Sequence, residues 1–151
     1  MKVSVQREDF DAGAEIRALA RDPKVGAVAS FVGVVREVPM TLEHYAGMTE
    51  REIAKIVEQA KARWAVMDCT VIHRYGALQP TDQIVLVVVA SAHRGDAFAA
   101  CEFVMDYLKT RAPFWKKEQT GDGERWVEAR ASDDAAAERW QPQIANPKRL
   151  G

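Results

Sequence analysis

Four cations crowd into Met105–Glu118: Lys109, Arg111, Lys116 and Lys117, interleaved with Tyr107, Phe114 and Trp115 and broken once by Pro113. Proline biases the residue before it away from helical angles, so a helix entering this stretch runs no further than about Arg111. Lys109 then falls in a last helical turn, and Lys116 lies just past a rigid corner. A lysine acts as nucleophile or base only when its pKa falls, through burial or a neighbouring cation. The corner could fold Lys116 back toward Lys109, with Arg111 adding like charge and Phe114-Trp115 adding desolvation. Read this way, the stretch is the wall of a pocket for something flat and anionic. A plainer account also fits: lysines suit the C-terminal end of a helix dipole, and Phe114-Trp115 could be core.

His93-Arg94 form a second candidate. They follow an apolar run and sit where the next helix begins, among free backbone amides and a positive dipole end. A guanidinium there adds a planar, bidentate donor for phosphate or carboxylate; the alternative is a satisfied histidine and a surface arginine. Arg36 ends another apolar run and Arg130 a later one, positions where an arginine usually reaches for solvent. His44 and His73 fall within strands and read as packed or exposed without a role. Glu43 and Glu128 have no evident carboxylate partner, so a two-carboxylate hydrolase is not supported. No GxSxG, HExxH or P-loop pattern occurs. Cys69 and Cys101 stand 32 positions apart without metal-ligand spacing, so neither a zinc site nor a disulfide framework is expected. Cys101 falls on the inner stripe of its helix and Cys69 in a strand, and a buried apolar thiol is inert. Any sulfur chemistry would draw its sulfur from elsewhere.

The elements that must position these residues follow from periodicity. Strands are predicted at Lys2–Gln6, Gly26–Arg36, Thr41–Tyr45, Cys69–Tyr75, Gln83–Ser91 and Arg125–Arg130. Gly33 suggests a bulge or close backbone approach. Ile84–Ala90 lacks polar alternation and is expected to be a central strand covered on both faces. Helices are predicted over Asp11–Asp22, after a capping box at Thr49-Glu-Arg-Glu52, and from about Asp96, as N-cap, to Lys109. The second helix puts Ile53, Ile56, Val57, Ala60 and Trp64 on one stripe. Asp133–Trp140 could be a short helix. Residues 1–140 are expected to form a single domain and 141–151 a loose tail. Adjacent strands between helices favour an α+β fold with a mixed or mostly antiparallel sheet and flanking helices.

With 151 residues, 48% of them hydrophobic, the chain can bury a core of its own. A net charge of −1 argues against a general nucleic-acid or membrane-surface binder, so any anion site must be local. The N-terminus lacks a secretory pattern and the longest apolar run is too short for a bilayer. A reduced, cytoplasmic protein is expected.

Five blocks carry a resemblance: Leu42-Glu-His-Tyr-Ala-Gly-Met-Thr-Glu50, Val71-Ile-His-Arg74, Ser91-Ala-His-Arg94, Met105-Asp-Tyr-Leu-Lys-Thr-Arg-Ala-Pro-Phe-Trp-Lys-Lys-Glu118 and Arg125-Trp-Val-Glu-Ala-Arg130. In this order, over about Val25 to Trp140, they closely resemble the large, catalytic subunit of molybdopterin synthase. The resemblance implies an α/β-hammerhead-like fold and a central homodimer within a heterotetramer. It implies a small ubiquitin-like sulfur-carrier subunit whose C-terminal Gly-Gly thiocarboxylate supplies sulfur. Two sulfurs pass to cyclic pyranopterin monophosphate and form the molybdopterin dithiolene, a sulfurtransferase reaction with no cofactor or metal of its own.

By motif, the resemblance assigns catalysis to Lys109 and Lys116. It assigns substrate binding to Val34, Val35, Arg36, His93, Arg94, Lys109, Lys116, Lys117 and Glu118. Arg36, His93 and Arg94 would hold the cyclic phosphate, and Phe114 and Trp115 would shape or support the pterin pocket. A partly desolvated Lys109 would act as acid/base or by electrostatic stabilisation, with Lys116 polarising substrate or orienting the thiocarboxylate. The chain departs from the family pattern in its short Glu37–Thr41 connection, in Val34 where a basic residue is common, and in Ala46 where proline is usual. A rival reading from another class is a nonenzymatic module that stacks single-stranded nucleic acid on Phe114-Trp115.

Overall fold

The computed structural model describes residues 1–120, 123–127 and 131–141. Along the chain run β1 (Lys2–Gln6), α1 (Ala12–Leu19), β2 (Ala27–Val34), β3 (Met40–His44), α2 (Met48–Arg63), β4 (Val66–Arg74), β5 (Gly76–Leu78), β6 (Gln83–Ser91), α3 (Arg94–Arg111), β7 (Phe114–Thr120), β8 (Gly123–Val127) and α4 (Ala131–Glu138). The strands form two four-stranded sheets, ordered β1-β4-β6-β2 and β5-β3-β7-β8. The β1–β4 pair is parallel and the other pairs are antiparallel. The architecture is α+β with a mixed sheet, as the element pattern predicts.

β6 explains the arrangement. Its side chains alternate between two apolar clusters, the strand period carried into both faces. Val85, Val87 and Val89 face the cluster built from Ile53, Ile56 and Val57 of α2 and Ala97, Cys101 and Val104 of α3. Leu86, Val88 and Ala90 face Ile72 and Leu19 of α1. Burial on both sides is why this strand shows no polar alternation. The predicted irregularity at Gly33 is present as a register shift between Gly33 and Val34. A Cβ at Gly33 would stand 2.8 Å from Val85 Cγ1, so the close approach is real as well.

Helix starts are where local reading goes wrong. α2 begins earlier than the predicted capping box. Gly47 is the N-cap, at φ +82°, and its amide donates to Glu50 Oε2 at 2.7 Å. Thr49 lies within the first turn, fully buried, and its hydroxyl donates to the Tyr45 carbonyl at 2.8 Å rather than capping with Glu52. α3 is capped at His93, not Asp96, which falls within its first turn. Its other end is as predicted: Ala112 is extended (φ −72°, ψ 132°), and the Phe114 amide bonds the Ala112 carbonyl around Pro113 at 2.8 Å.

Two strands escape prediction. β5 is only three residues long. β7 is read from sequence as charged residues beyond a corner, yet it is an inner strand between β3 and β8. α1 stops at Leu19, three residues short of the predicted end. Glu128 and Arg130, and residues 142–151 of the expected tail, lie outside the described residues. No helix among the described residues is long and apolar enough to cross a membrane.

Candidate functional site

Strand alternation sorts the residues beyond Pro113. In the β3–β7 register Phe114, Lys116 and Glu118 stand opposite His44, Leu42 and Met40. They share one face, and Trp115 and Lys117 take the other. Phe114-Trp115 therefore do not form one wall, contrary to the sequence reading. Phe114 stacks flat on His73 of β4, ring centroids 3.8 Å apart and planes 19° apart. Trp115, 39% exposed, meets Tyr45 edge-on at 4.3 Å. With one ring covered and the other on the opposite face, successive bases have no shared stacking platform, which removes the physical basis for the nucleic-acid rival.

Lys116 makes an ion pair with Glu118 at 2.9 Å. Lys109, in the last turn of α3, is exposed rather than partly desolvated, and no described residue pairs with it. Its charge nonetheless reaches His73. Burial, then the positive charge of Lys109 and the proximity of His44, push the His73 imidazole down from 6.5 to about 4, against an opposing Nδ1 hydrogen bond to the Arg74 carbonyl. Arg111 is used elsewhere, its guanidinium 4.5 Å from the Tyr107 ring centre.

Arg36 lies past the end of β2 in a loop fastened by two backbone bonds of 2.9 Å, Val35 amide to Asp82 carbonyl and Thr81 amide to Val35 carbonyl. Val35 is buried, Val34 is 50% exposed and the Arg36 side chain is exposed. His93 and Arg94 are exposed too, at an N-terminus that no side chain caps. Ser91 sets this turn: its hydroxyl donates to the Ala65 carbonyl at 2.8 Å and accepts from the His93 amide at 3.4 Å. Uncapped first-turn amides and a dipole end suit an anion.

The β2–β6 register decides which of these meet. Ala27 stands opposite Ser91, and Val34 opposite Gln83. His93 and Arg94 therefore leave the sheet at one end, and Arg36 at the other. With eight residues in β2, the ends are about 25 Å apart. α3 spans the same distance in reverse, its 18 residues covering about 27 Å. Lys109 and Lys116 thus fall at the Arg36 end, and His93 and Arg94 at the far end of the same chain. The residues grouped by sequence split into two sets.

Both thiols are buried and free. Burial pushes Cys69 up to about 12 and Cys101 up to about 11, so neither offers a thiolate near neutrality. No three His, Cys, Asp or Glu side chains among the described residues converge on a possible metal site.

His73 and His44, read from sequence as packed or exposed without a role, are packed, His73 on Phe114 and His44 against Tyr75. Cys69 and Val71, at the same alternation as His73, face the α2–α3 cluster, so strand period alone places His73 on an inner face. Its partner Phe114, from the other sheet, has no local signal.

The mixed α+β scaffold carries a lysine-bearing corner at one sheet end and an uncapped, basic helix start at the other. Residues 5–111 match the family model described as MoaE protein; the chain belongs to that family. It is 60% identical over 146 residues to the molybdopterin synthase catalytic subunit of Ralstonia nicotianae, covering 91% of this chain and 83% of that protein. The molybdopterin biosynthesis MoaE protein from Burkholderia ambifaria superposes with a TM-score of 0.83 at 58% identity, over 95% of this chain and all of that one. The molybdopterin synthase from Staphylococcus aureus gives 0.77 at 32% identity, over 83% of this chain and 96% of that one.

Proposed function

We propose that this chain is the catalytic subunit of a cytoplasmic molybdopterin synthase. It moves sulfur from the C-terminal thiocarboxylate of a small carrier subunit to cyclic pyranopterin monophosphate. The observation that carries the reading is the pair Lys109 and Lys116, set on either side of the Pro113 corner in a chain of this family. Lys109 stands exposed at a helix end, where a docked carrier tail would cover and desolvate it. It then serves as acid/base or stabilises the charge developing at the attacked carbonyl. Lys116, steadied by Glu118, polarises the substrate or orients the thiocarboxylate. The inert thiols of Cys69 and Cys101 suit a reaction whose sulfur arrives on a partner.

The split between the sheet ends suits a homodimer in which each site draws on both copies. Arg36 serves the lysines of its own chain, and His93 and Arg94 serve the site of a second copy, where they hold the cyclic phosphate. Lys117, on the opposite face of β7 from Lys116, contributes long-range charge rather than a contact beside Lys116.

The test is to mix the purified chain with a thiocarboxylated carrier and cyclic pyranopterin monophosphate, then assay for dithiolene. Dithiolene that depends on all three components is expected. Its absence with folded, carrier-binding protein would overturn the reading.

A further inference from the structure

The ring cluster behind the Pro113 corner has no part in the proposed sulfur transfer, yet it joins the two sheets where the lysines stand. His73 belongs to β4 of one sheet and Phe114 opens β7 of the other. Their rings lie 3.8 Å apart and within 19° of parallel. On the Phe114 side, His44 of β3 stands 6.0 Å away at 39°, and it meets Tyr75 at 4.4 Å.

Both imidazoles are themselves held. The Arg74 carbonyl can only accept, so His73 Nδ1 carries the hydrogen in their 2.9 Å bond. Thr49 gives its hydroxyl hydrogen to the Tyr45 carbonyl at 2.8 Å, which leaves its oxygen to accept from His44 Nδ1 at 3.1 Å. A ring fixed at Nδ1 is a fixed surface for the ring that leans on it. Phe114 is two residues from Ala112, the C-cap of α3, and two from Lys116. Its placement therefore sets both the direction in which the helix end is held and the starting point of the lysine-bearing strand.

We propose that His73 is a positioning residue for the two lysines: its imidazole, face to face with Phe114, anchors the Ala112–Pro113 corner to β4 and so fixes Lys109 and Lys116 relative to each other. His44 supports the same ring from β3. The inference rests on the catalytic reading of the lysines. It adds that their spacing is enforced from the other sheet. A displacement of about 1 Å at a reacting group costs on the order of a hundredfold in rate, so loosening this anchor should act on turnover rather than on docking.

The experiment uses the full chain reconstituted with thiocarboxylated carrier and cyclic pyranopterin monophosphate. His73→Ala is expected to lower kcat by about tenfold or more while KM for the carrier stays within about twofold of wild type. His73→Phe, which keeps a flat ring but loses the Nδ1 hydrogen bond, should recover most of kcat. A wild-type kcat in His73→Ala overturns the proposal. So does a folded His73→Phe as slow as His73→Ala, since a flat ring against Phe114 would then not be what holds the corner. Should His73→Ala fail to fold, Phe114→Leu removes the stack from the other side, and there an unchanged kcat overturns it. Lys109→Ala run in parallel separates the two readings. Full turnover in Lys109→Ala sinks the lysine assignment, whereas an inactive Lys109→Ala beside an unimpaired His73→Ala sinks the positioning role alone.

Discussion

The ammonium of Lys116 lies 2.9 Å from the Glu118 carboxylate, two residues along the same face of β7. Neither group is deeply buried, so the pair contributes no more than about 1 kcal/mol to stability, and its value lies in aiming the ammonium. Glu118→Gln should slow dithiolene formation by roughly three- to tenfold with little change in Tm, the rate loss arising from misdirected charge. Steady-state turnover and a thermal melt on the same preparation check this. A large Tm loss with an unchanged rate per folded molecule would make Glu118 a structural residue only.

Lys109→Ala should nearly abolish dithiolene formation, by about a hundredfold or more, the usual loss when a charge-stabilising or proton-transferring group is removed. Because Lys109 is exposed, circular dichroism and carrier binding should match wild type. Lys116→Ala should fall less far. Single-turnover assays at saturating carrier distinguish the two.

Division of the site between protomers predicts complementation. Lys109→Ala and Arg94→Ala proteins should each be impaired alone. Mixed and allowed to exchange subunits, they should regain about one quarter of wild-type activity. Half of the dimers are then mixed, and in an isologous dimer each of those has one intact site. No recovery despite proven exchange would place both residues in one chain's site.

Cys69→Ser and Cys101→Ser should leave turnover per folded molecule close to wild type. Each buries a hydroxyl in place of a thiol, at a cost of about 1–3 kcal/mol of stability. Alkylation at pH 8 should be slow in the native protein and fast once denaturant is added, since burial holds the thiols at about 12 and 11. A large loss of turnover in a folded double mutant would mean that sulfur passes through this chain.

His73 makes stability depend on pH. The unfolded chain takes up this proton near 6.5 and the folded chain only near 4. The contribution is therefore whole above about 6.5 and is lost as pH falls from there toward 4. At 1.36 kcal/mol per pH unit the full loss is about 3 kcal/mol. Urea midpoints at pH 7.5 and pH 4.5 should differ accordingly, and His73→Phe should flatten the difference in that window. An equally steep dependence in His73→Phe would place the titrating group elsewhere.

What the sequence determined by itself was whatever a few neighbouring residues decide. The unbroken apolar run of β6 implied burial on both faces, because a strand with no polar side has no side to give to water. Ile53, Ile56, Val57 and Ala60 implied the buried stripe of α2, and Pro113 implied the end of α3, since it disfavours helical angles at Ala112. The inert thiols followed from their places, one on the inner stripe of a helix and one in a strand. Family membership was legible in the Lys-Thr-Arg-Ala-Pro-Phe-Trp-Lys block. The tertiary structure alone decided what depends on distant pairing. β7 is an inner strand because β3 and β8 flank it, and that pairing sends Lys116 and Lys117 to opposite faces. Phe114 stacks on His73, 41 positions earlier in the chain, and only the meeting of two sheets brings them together. The β2–β6 register puts Arg36 and His93 at opposite ends of one sheet. Strand register is a non-local property, so no local pattern could have shown that residues grouped by motif stand about 25 Å apart.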